Sequence, residues 1–185
     1  ITITGASEGA VNVTLNIAVK NSAGATFLMG ELSHTGGYLS GTQPKDEIWM
    51  HSLSGARNAA SITKFVYDAQ WLTPFRIVIL SFAGTNTYKN EWVSPLITPS
   101  VVGVNTWIPP APVETGPGWR YLAVYVPKNS KMPLMYAPIS GARQSAHRYD
   151  ASIAVGGTNE YDQYYSSSFS STISAYGFTS VLQAT

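Results

Sequence analysis

The sequence predicts an all-β protein: a two-sheet antiparallel sandwich, jelly-roll-like, with about eight strands and at most short helices in loops. Three observations predict this class. Apolar and polar residues alternate with a period of two in several segments, amphipathic helical periodicity is nearly absent, and the connections are long and uneven. Because a strand with period-two alternation buries one face, such strands pack as sheets. Long, uneven connections favour Greek-key or jelly-roll wiring over a simple meander.

The N-terminal residues predict a hairpin. One strand alternates apolar with polar or small residues from Val11 to Val19, and a turn is expected at Lys20–Gly24. Ala25–Leu32 is the expected return strand. The only candidates for short helices follow it, at Asp46–Leu53 and Gly55–Ala60, within a connection between strands.

Five further segments predict strands: Lys64–Ala69, Phe75–Phe82, Tyr121–Val126, Tyr149–Val155 and Ser168–Leu182. Phe75–Phe82 is apolar on both faces, which is typical of a central strand. Tyr121–Val126 ends at Pro127, because proline has no N–H to donate to a neighbouring strand. Ser168–Leu182 alternates weakly and is expected to hold one long or two short strands.

The connections are rich in Gly, Pro, Asn, Ser and Thr, and they lie at Gly36–Pro44, Gly84–Lys89, Ser94–Val104, Pro109–Gly118 and Lys128–Gly141. A sandwich of 185 residues forms a single domain, so residues 1–185 are expected to fold as one unit. No apolar run approaches the roughly 18 residues of a membrane helix, and no membrane span is expected.

Charge and cysteine content exclude several classes of protein. Eleven basic and ten acidic residues leave a net charge of +1, and charged residues make up 11% of the chain, against about 25% in an ordinary domain. This composition excludes a coiled coil, and the absence of cysteine excludes a disulfide scaffold and a cysteine-ligated zinc site. A dedicated nucleic-acid-binding domain is disfavoured, which leaves only weak, non-specific contact with RNA.

Two arrangements of residues are candidates for a catalytic site. Retaining glycosidases need two carboxylates about 5 Å apart, and Glu160 and Asp162 have a period-two spacing that places both on one strand face beside tyrosines. A Ser–His–Asp set can be assembled from Ser145, His147 and Asp150, but no G-x-S-x-G turn presents the serine.

The histidines His34, His51 and His147 stand apart, without the spacing of a metal site. A polar, tyrosine-rich loop is the preferred interpretation of residues 160–165. The sequence therefore predicts no catalytic residues, no cofactor and no metal.

Low charge combined with many aromatic residues indicates a surface shared with other subunits. Interfaces lose charged residues at their centres and gain Tyr, Trp, Phe and Arg. Four tryptophans, Trp49, Trp92, Trp107 and Trp119, are predicted in or beside loops, from which they cannot all reach one core. Some of them are therefore expected to contact a partner or a ligand.

The segment Pro117–Pro127 resembles the late strands of picornavirus-like capsid proteins, in which an aromatic-led strand similar to Trp119–Val126 precedes a loop and a final strand similar to Tyr149–Val155. Phe75–Phe82, with Trp71 before it, is similar to their middle strands, and the plant members with a single-jelly-roll coat protein are nearest in size. The resemblance covers roughly residues 60–160. It implies a shell subunit released from a polyprotein, which is one of the explanations for Ile1 in place of an initiator Met.

Two roles follow from these features. The preferred one is a structural subunit of a non-enveloped icosahedral virus shell, located in the virion, whose partners are other capsid subunits in a symmetric array. The alternative is a carbohydrate- or receptor-binding sandwich, such as an adhesin, a lectin or a protruding capsid domain, in which Tyr161, Tyr164, Tyr165 or a loop tryptophan stacks on sugar. A glycoside hydrolase is the third possibility.

Overall fold

A computed structural model describes residues 24–30, 42–51, 58–138, 145–149, 152–160, 162–165 and 169–179. Within these ranges the protein is all-β, with fourteen strands and no helix. The first eight strands are β1 (Thr26–Gly30), β2 (Glu47–His51), β3 (Ala60–Ala69), β4 (Arg76–Gly84), β5 (Thr87–Val93), β6 (Gly103–Trp107), β7 (Val113–Thr115) and β8 (Arg120–Val126). The remaining strands are β9 (Tyr136–Pro138), β10 (Ser145–Tyr149), β11 (Thr158–Glu160), β12 (Asp162–Tyr165), β13 (Phe169–Ser171) and β14 (Ile173–Thr179).

The strands pair as a nested series of antiparallel partners. The innermost pair is the hairpin β4–β5, followed outward by β3 with β6 and β7, then β2 with β8, then β1 with β14. Successive pairs alternate between two sheets, so one long hairpin is rolled up into a sandwich. This is the wiring of a jelly roll, and it confirms the predicted fold class.

The smaller sheet has the order β1–β14–β3–β6, and β7 also pairs with β3. The larger sheet has the order β11–β5–β4–β8–β2–β10–β12, and β13 pairs separately with β9. Strands β9 to β13 are inserted between the last two strands of the jelly roll, β8 and β14. Three of them, β10, β11 and β12, widen the larger sheet at both edges.

The main core lies between the two sheets. Alternate residues of β4 and β8, such as Ile77 and Val124, meet Ile62, Phe65 and other residues of the smaller sheet. Two half-buried tryptophans, Trp92 and Trp107, pack against this core. Phe65 stacks on Trp92 across the sandwich, with ring centroids 5.9 Å apart and planes 8° apart, and it meets Trp107 at the same 5.9 Å.

A second apolar cluster lies on the opposite face of the larger sheet. Its members are buried almost completely: Ile48, Met50, Val78, Leu80, Ala123 and Tyr125. The two edge strands of this sheet, β11 and β12, are separated in the chain by residue 161 alone, so their ends lie within about 7 Å of each other. The sheet must therefore curl, and the curl encloses the second cluster.

Most of the predicted strands are confirmed. Phe75–Phe82 corresponds to β4, which is central and apolar on both faces, and Tyr121–Val126 corresponds to β8, which ends at Pro127. Ala25–Leu32 contains β1, and Lys64–Ala69 is the second half of the longer β3. Ser168–Leu182 holds two strands, β13 and β14.

Other local predictions are wrong. Asp46–Leu53 is no helix, since Glu47–His51 pairs with β8 and β10 as a central strand. The strand predicted at Tyr149–Val155 is also wrong. Tyr149 is the last residue of β10, and Ser152–Gly157 forms a loop that is hydrogen-bonded to β5. The expected Gly84–Lys89 loop is a tight turn in which Asn86 takes a positive φ of 55°.

Several predictions lie wholly or partly outside the described residues. The Val11–Val19 strand lies wholly outside them, and the Lys20–Gly24 turn and the Gly36–Pro44 connection lie largely outside. Half of the short helix predicted at Gly55–Ala60 is described, and that half is not helical, since Ala60 begins β3.

The prediction that the tryptophans cannot all reach one core is wrong for three of the four. Trp49, Trp92 and Trp107 lie in strands and pack, half-buried, against the main core. The position of Trp92 cannot be found from a regular alternation of polarity, because a β-bulge at Glu91 shifts the register of β5 against β4. Only Trp119 is an exposed loop residue, as predicted.

Candidate interaction surfaces

Ten large apolar side chains are exposed in the described part of the chain, and nine of them fall on three surfaces. The side face is the outer face of the smaller sheet and carries Phe27, Val104 and Ile108. The loop end carries Leu72, Leu96, Val101 and Val102. The aromatic corner carries Phe82 and Trp119. The tenth, Val155, lies by itself on the loop over β5.

The side face follows from the alternation of β6. Asn105 and Trp107 point into the sandwich, so Val104 and Thr106 point outward, and Ile108 continues the series. On the other edge of the sheet, the Phe27 ring meets Tyr176 edge-on at 6.0 Å. The face therefore presents apolar groups at both edges.

One lysine lies between these edges. Lys64 Nζ is 5.0 Å from the centroid of the Tyr176 ring, a cation–π distance. Lys64 stands directly opposite Tyr176 in the register of β3 and β14. The charge is therefore anchored over an aromatic ring, and the same face also carries the exposed carboxylate of Glu114, which accepts a hydrogen bond from the Ser61 hydroxyl.

The loop end gathers the connections 42–46, 70–75, 94–102 and 127–135 at one end of both sheets. Two antiparallel contacts bracket the second and third of these connections. Ala69 pairs with Gly103, and Phe75 pairs with Ile97 through backbone hydrogen bonds of 2.8 and 2.9 Å. Residues 70–74 therefore run alongside residues 98–102, which brings Leu72 beside Val101 and Val102.

Further hydrogen bonds hold these loops rigidly. The Gln70 side chain donates to the Met132 carbonyl at 2.7 Å, and Gln43 N–H donates to the Ser130 carbonyl at 2.8 Å. The buried Asn105 amide accepts from Ser100 N–H at 3.0 Å and donates to the Val101 carbonyl at 2.8 Å. The conformation of the exposed loops is thus fixed before any partner binds.

The described part of the loop end is basic. Lys45, Lys128 and Lys131 are exposed, and Lys131 Nζ lies 3.8 Å from the centroid of the Trp71 ring. The only acidic side chain within these described loops is Asp46, which is half-buried. It accepts hydrogen bonds from the Tyr125 hydroxyl (2.9 Å) and from Lys128 N–H (2.7 Å).

The Tyr125 hydroxyl donates the hydrogen bond that orients Asp46. Burial of the phenol, and next its hydrogen bond to the Asp46 carboxylate, raise the pKa of Tyr125 to about 12. The hydroxyl therefore stays protonated and continues to donate to Asp46. This interaction orients the carboxylate but leaves its negative charge in place, so the described loops carry three lysines against one acidic side chain.

The aromatic corner is a ladder of rings on the outer face of the larger sheet. The Phe82 and Tyr88 rings meet edge-to-face at 5.7 Å, and Tyr88 meets Tyr121 at 5.1 Å. In the same two strands, β4 and β5, the Ser81 hydroxyl donates to the Glu91 carboxylate at 2.5 Å, and Lys89 Nζ lies 3.5 Å from that carboxylate. The Ser81 hydrogen bond is the main cause that lowers the pKa of Glu91.

Glu47 is a buried carboxylate at the start of β2, with 1% of its surface exposed. Trp49 Nε1–H donates to it at 2.9 Å, and the Gln43 amide, oriented with nitrogen toward Glu47, donates to both oxygens at 2.8 and 2.9 Å. Burial outweighs the Trp49 hydrogen bond and raises the pKa of Glu47 above its ordinary value of 4.5.

Glu47→Gln is expected to flatten the dependence of stability on pH. Between the ordinary pKa of 4.5 and the raised folded pKa, the folded protein binds more protons than the unfolded chain, so the free energy of unfolding falls as pH rises. The wild-type protein should therefore lose stability relative to the Gln variant across this window, as measured by urea unfolding at a series of pH values. Parallel pH profiles for the two proteins would contradict this prediction.

The residues weighed as catalytic are not brought together on one strand. Glu160 ends β11, which pairs with β5, whereas Asp162 begins β12, which pairs with β10. The premise that both lie on one face of a single strand is therefore wrong. Ser145 and His147 lie together on β10, and Asp150 lies outside the described residues.

The tyrosines suggested for sugar binding stay untested by the geometry. Tyr164 and Tyr165 belong to β12, whose side chains are not described, and Tyr161 lies outside the described residues. The aromatic corner was missed at the sequence level, because Phe82, Tyr88 and Tyr121 come from three different strands.

Among the described residues, no group of three or more His, Asp or Glu could hold a metal ion. No helix in the same residues is long and apolar enough to cross a bilayer.

Comparisons with known proteins identify no relative: no family model, no curated protein and no solved structure matches the chain significantly.

Proposed function

We propose that this protein is a structural subunit of a symmetric shell of the non-enveloped virus type, which assembles through the side face. The observation that carries the proposal is the exposure of three large apolar residues, Phe27, Val104 and Ile108, on the outer face of the smaller sheet in the part of the chain that the structure describes. Its partners are further copies of the chain or similar subunits, and its location is the virion. No catalytic step is part of this role.

The fold supports this role in two ways. Jelly rolls are one of the architectures used by viral capsid proteins, although lectins use them too. The low charge, 11% of residues, fits a protein whose surface is shared with neighbours, because charged residues are depleted at the centres of interfaces.

The distribution of apolar residues points to the side face in particular. The opposite face of the other sheet carries a comparable apolar cluster, but the curl of that sheet buries it. The side face has no such cover over Val104 and Ile108, and large apolar groups left in water are typical of protein contacts. A second subunit would bury them, and repetition by symmetry would close a shell.

Ile108→Asp is expected to abolish or strongly weaken assembly. Ile108 is 70% exposed and lies just outside β6, so an aspartate there costs little in the free subunit. In an interface it leaves a charge without a partner, which costs about 2 kcal/mol or more per contact. Light scattering and sedimentation should show large particles for the wild type and small species for the variant.

Val155→Asp is the matched control. Val155 is 67% exposed, also outside a strand, and lies away from the side face. It should assemble like the wild type. A wild-type protein that stays monomeric at high concentration would overturn the shell role. If such a monomer bound glycans through the aromatic corner, the carbohydrate-binding role would replace it.

A further inference from the structure

We infer that the loop end is a docking site for an anionic lipid surface, with the aliphatic side chains entering the bilayer interface and lysines contacting the headgroups. The inserted group, here called the apolar tip, consists of Leu72, Val101 and Val102, which are 53%, 52% and 58% exposed. The apolar tip lies on loops at one end of the sheets, whereas the side face lies mainly on strands, although only Gly103 separates Val102 from Val104 in the chain. The inference therefore goes beyond the proposed shell role and does not depend on it.

The apolar tip has the shape and rigidity that insertion needs. Its three residues belong to two adjacent loops, bracketed by the Ala69–Gly103 and Phe75–Ile97 contacts. The buried Asn105 amide fixes the turn that carries Val101, so little conformational freedom is lost on binding. Water covers these aliphatic groups in the free protein, and transfer to the bilayer interface is favourable.

The basic charge adjoins the apolar tip directly. Lys131 covers the ring of Trp71, the residue next to Leu72. The loop that carries Lys131 and Lys128 is bonded to the loop that carries Lys45, through Gln43 and Asn129. Lys131 therefore adjoins the apolar tip, Lys128 lies three residues earlier in the same loop, and Lys45 lies on the loop bonded to it; Asp46, the acidic side chain of these described loops, accepts a hydrogen bond from Tyr125.

Charge complementarity selects an anionic surface as the occupant. A two-fold contact between copies would set these lysines against each other, because such an interface brings the same patch together twice. RNA-binding surfaces offer aromatic rings for base stacking, whereas this tip is aliphatic and the Trp71 ring is already covered by Lys131. Phosphatidylserine supplies the negative charge that complements the lysines and the hydrocarbon that covers the exposed aliphatic side chains.

Vesicle flotation tests the inference with the full chain. The wild-type protein should float with vesicles of phosphatidylcholine and phosphatidylserine, should bind vesicles of phosphatidylcholine alone much more weakly, and should lose binding as salt is raised. The double substitution Val101→Asp with Val102→Asp should weaken binding about tenfold or more. Lys128→Gln should weaken it about fivefold.

Two matched controls are Val155→Asp and Lys89→Gln, which change an exposed valine and an exposed lysine away from the loop end. Both should bind vesicles like the wild type. Absence of flotation, equal binding to neutral vesicles, or an equal loss in the controls would overturn the inference. Binding to immobilised polyglutamate without binding to vesicles would replace the lipid surface with an acidic peptide. Particle formation by the tip variants, followed by light scattering, should stay at the wild-type level, which separates this test from that of the side face.

Discussion

Phe65→Ala is expected to lower the free energy of unfolding by about 4 kcal/mol, the middle of the range for a buried phenylalanine. Phe65 is fully buried in β3, where its ring contacts Trp92 from the facing sheet and Trp107 from the neighbouring strand. The substitution leaves a cavity between the sheets and removes two ring contacts, each worth about 1 kcal/mol. Urea unfolding followed by tryptophan fluorescence measures the loss.

Phe82→Ala provides the control for this substitution. Its ring is more than half exposed and meets only Tyr88 among the ring pairs of the described residues, at 5.7 Å. A loss of about 1 kcal/mol is expected from that contact. Equal losses for the two variants would show that Phe65 does not lie at the centre of the packing between the sheets. Because domains are stable by only about 5–15 kcal/mol, the Phe65 variant should unfold at markedly lower urea.

Gly177→Ala is expected to destabilise the protein by about 3 kcal/mol through a backbone clash. A Cβ at this position would lie 2.0 Å from the Ser61 carbonyl oxygen and 2.8 Å from Ile62 Cα, both in the adjacent strand β3. Neither atom can swing aside as a side chain would. Strand β14 would have to move away from β3 and weaken the hydrogen bonds that hold it between β3 and β1.

Gly84→Ala is the matched control, because a Cβ there meets no heavy atom within 4 Å. This variant should unfold within about 1 kcal/mol of the wild type, since alanine restricts the unfolded chain slightly. Thermal or urea unfolding of both variants suffices. A Gly177 variant as stable as the Gly84 variant would contradict the close approach of β14 and β3.

The sequence allowed the fold class to be predicted because its strongest signal is local. Strand β4 is apolar on both faces, and β8 alternates until Pro127 stops it; both properties depend only on neighbouring residues. The β2 segment shows the limit of such reasoning. Its five residues Glu47–His51 have no clear alternation of polarity, since a carboxylate and a tryptophan share one face, and only pairing with β8 and β10 makes it a strand.

The candidate surfaces depend on contacts between residues far apart in the chain. The aromatic corner joins three strands, and the apolar tip joins two loops that are adjacent only because Ala69 pairs with Gly103. Residues 160–162 show the reverse case. They are neighbours in sequence, yet Glu160 and Asp162 belong to strands at opposite ends of the order of the larger sheet.

By itself, the sequence determined an all-β jelly roll with few charges and many aromatic residues, because periodicity, turn residues and composition act within a few residues of chain. The tertiary structure decided which apolar residues remain in water. The same kind of apolar strand face is buried where the larger sheet curls over Ile48 and Leu80, and exposed at Val104 and Ile108. Burial depends on what packs above a residue, and that is fixed by sheet order and curvature rather than by the residue's own neighbours in the chain.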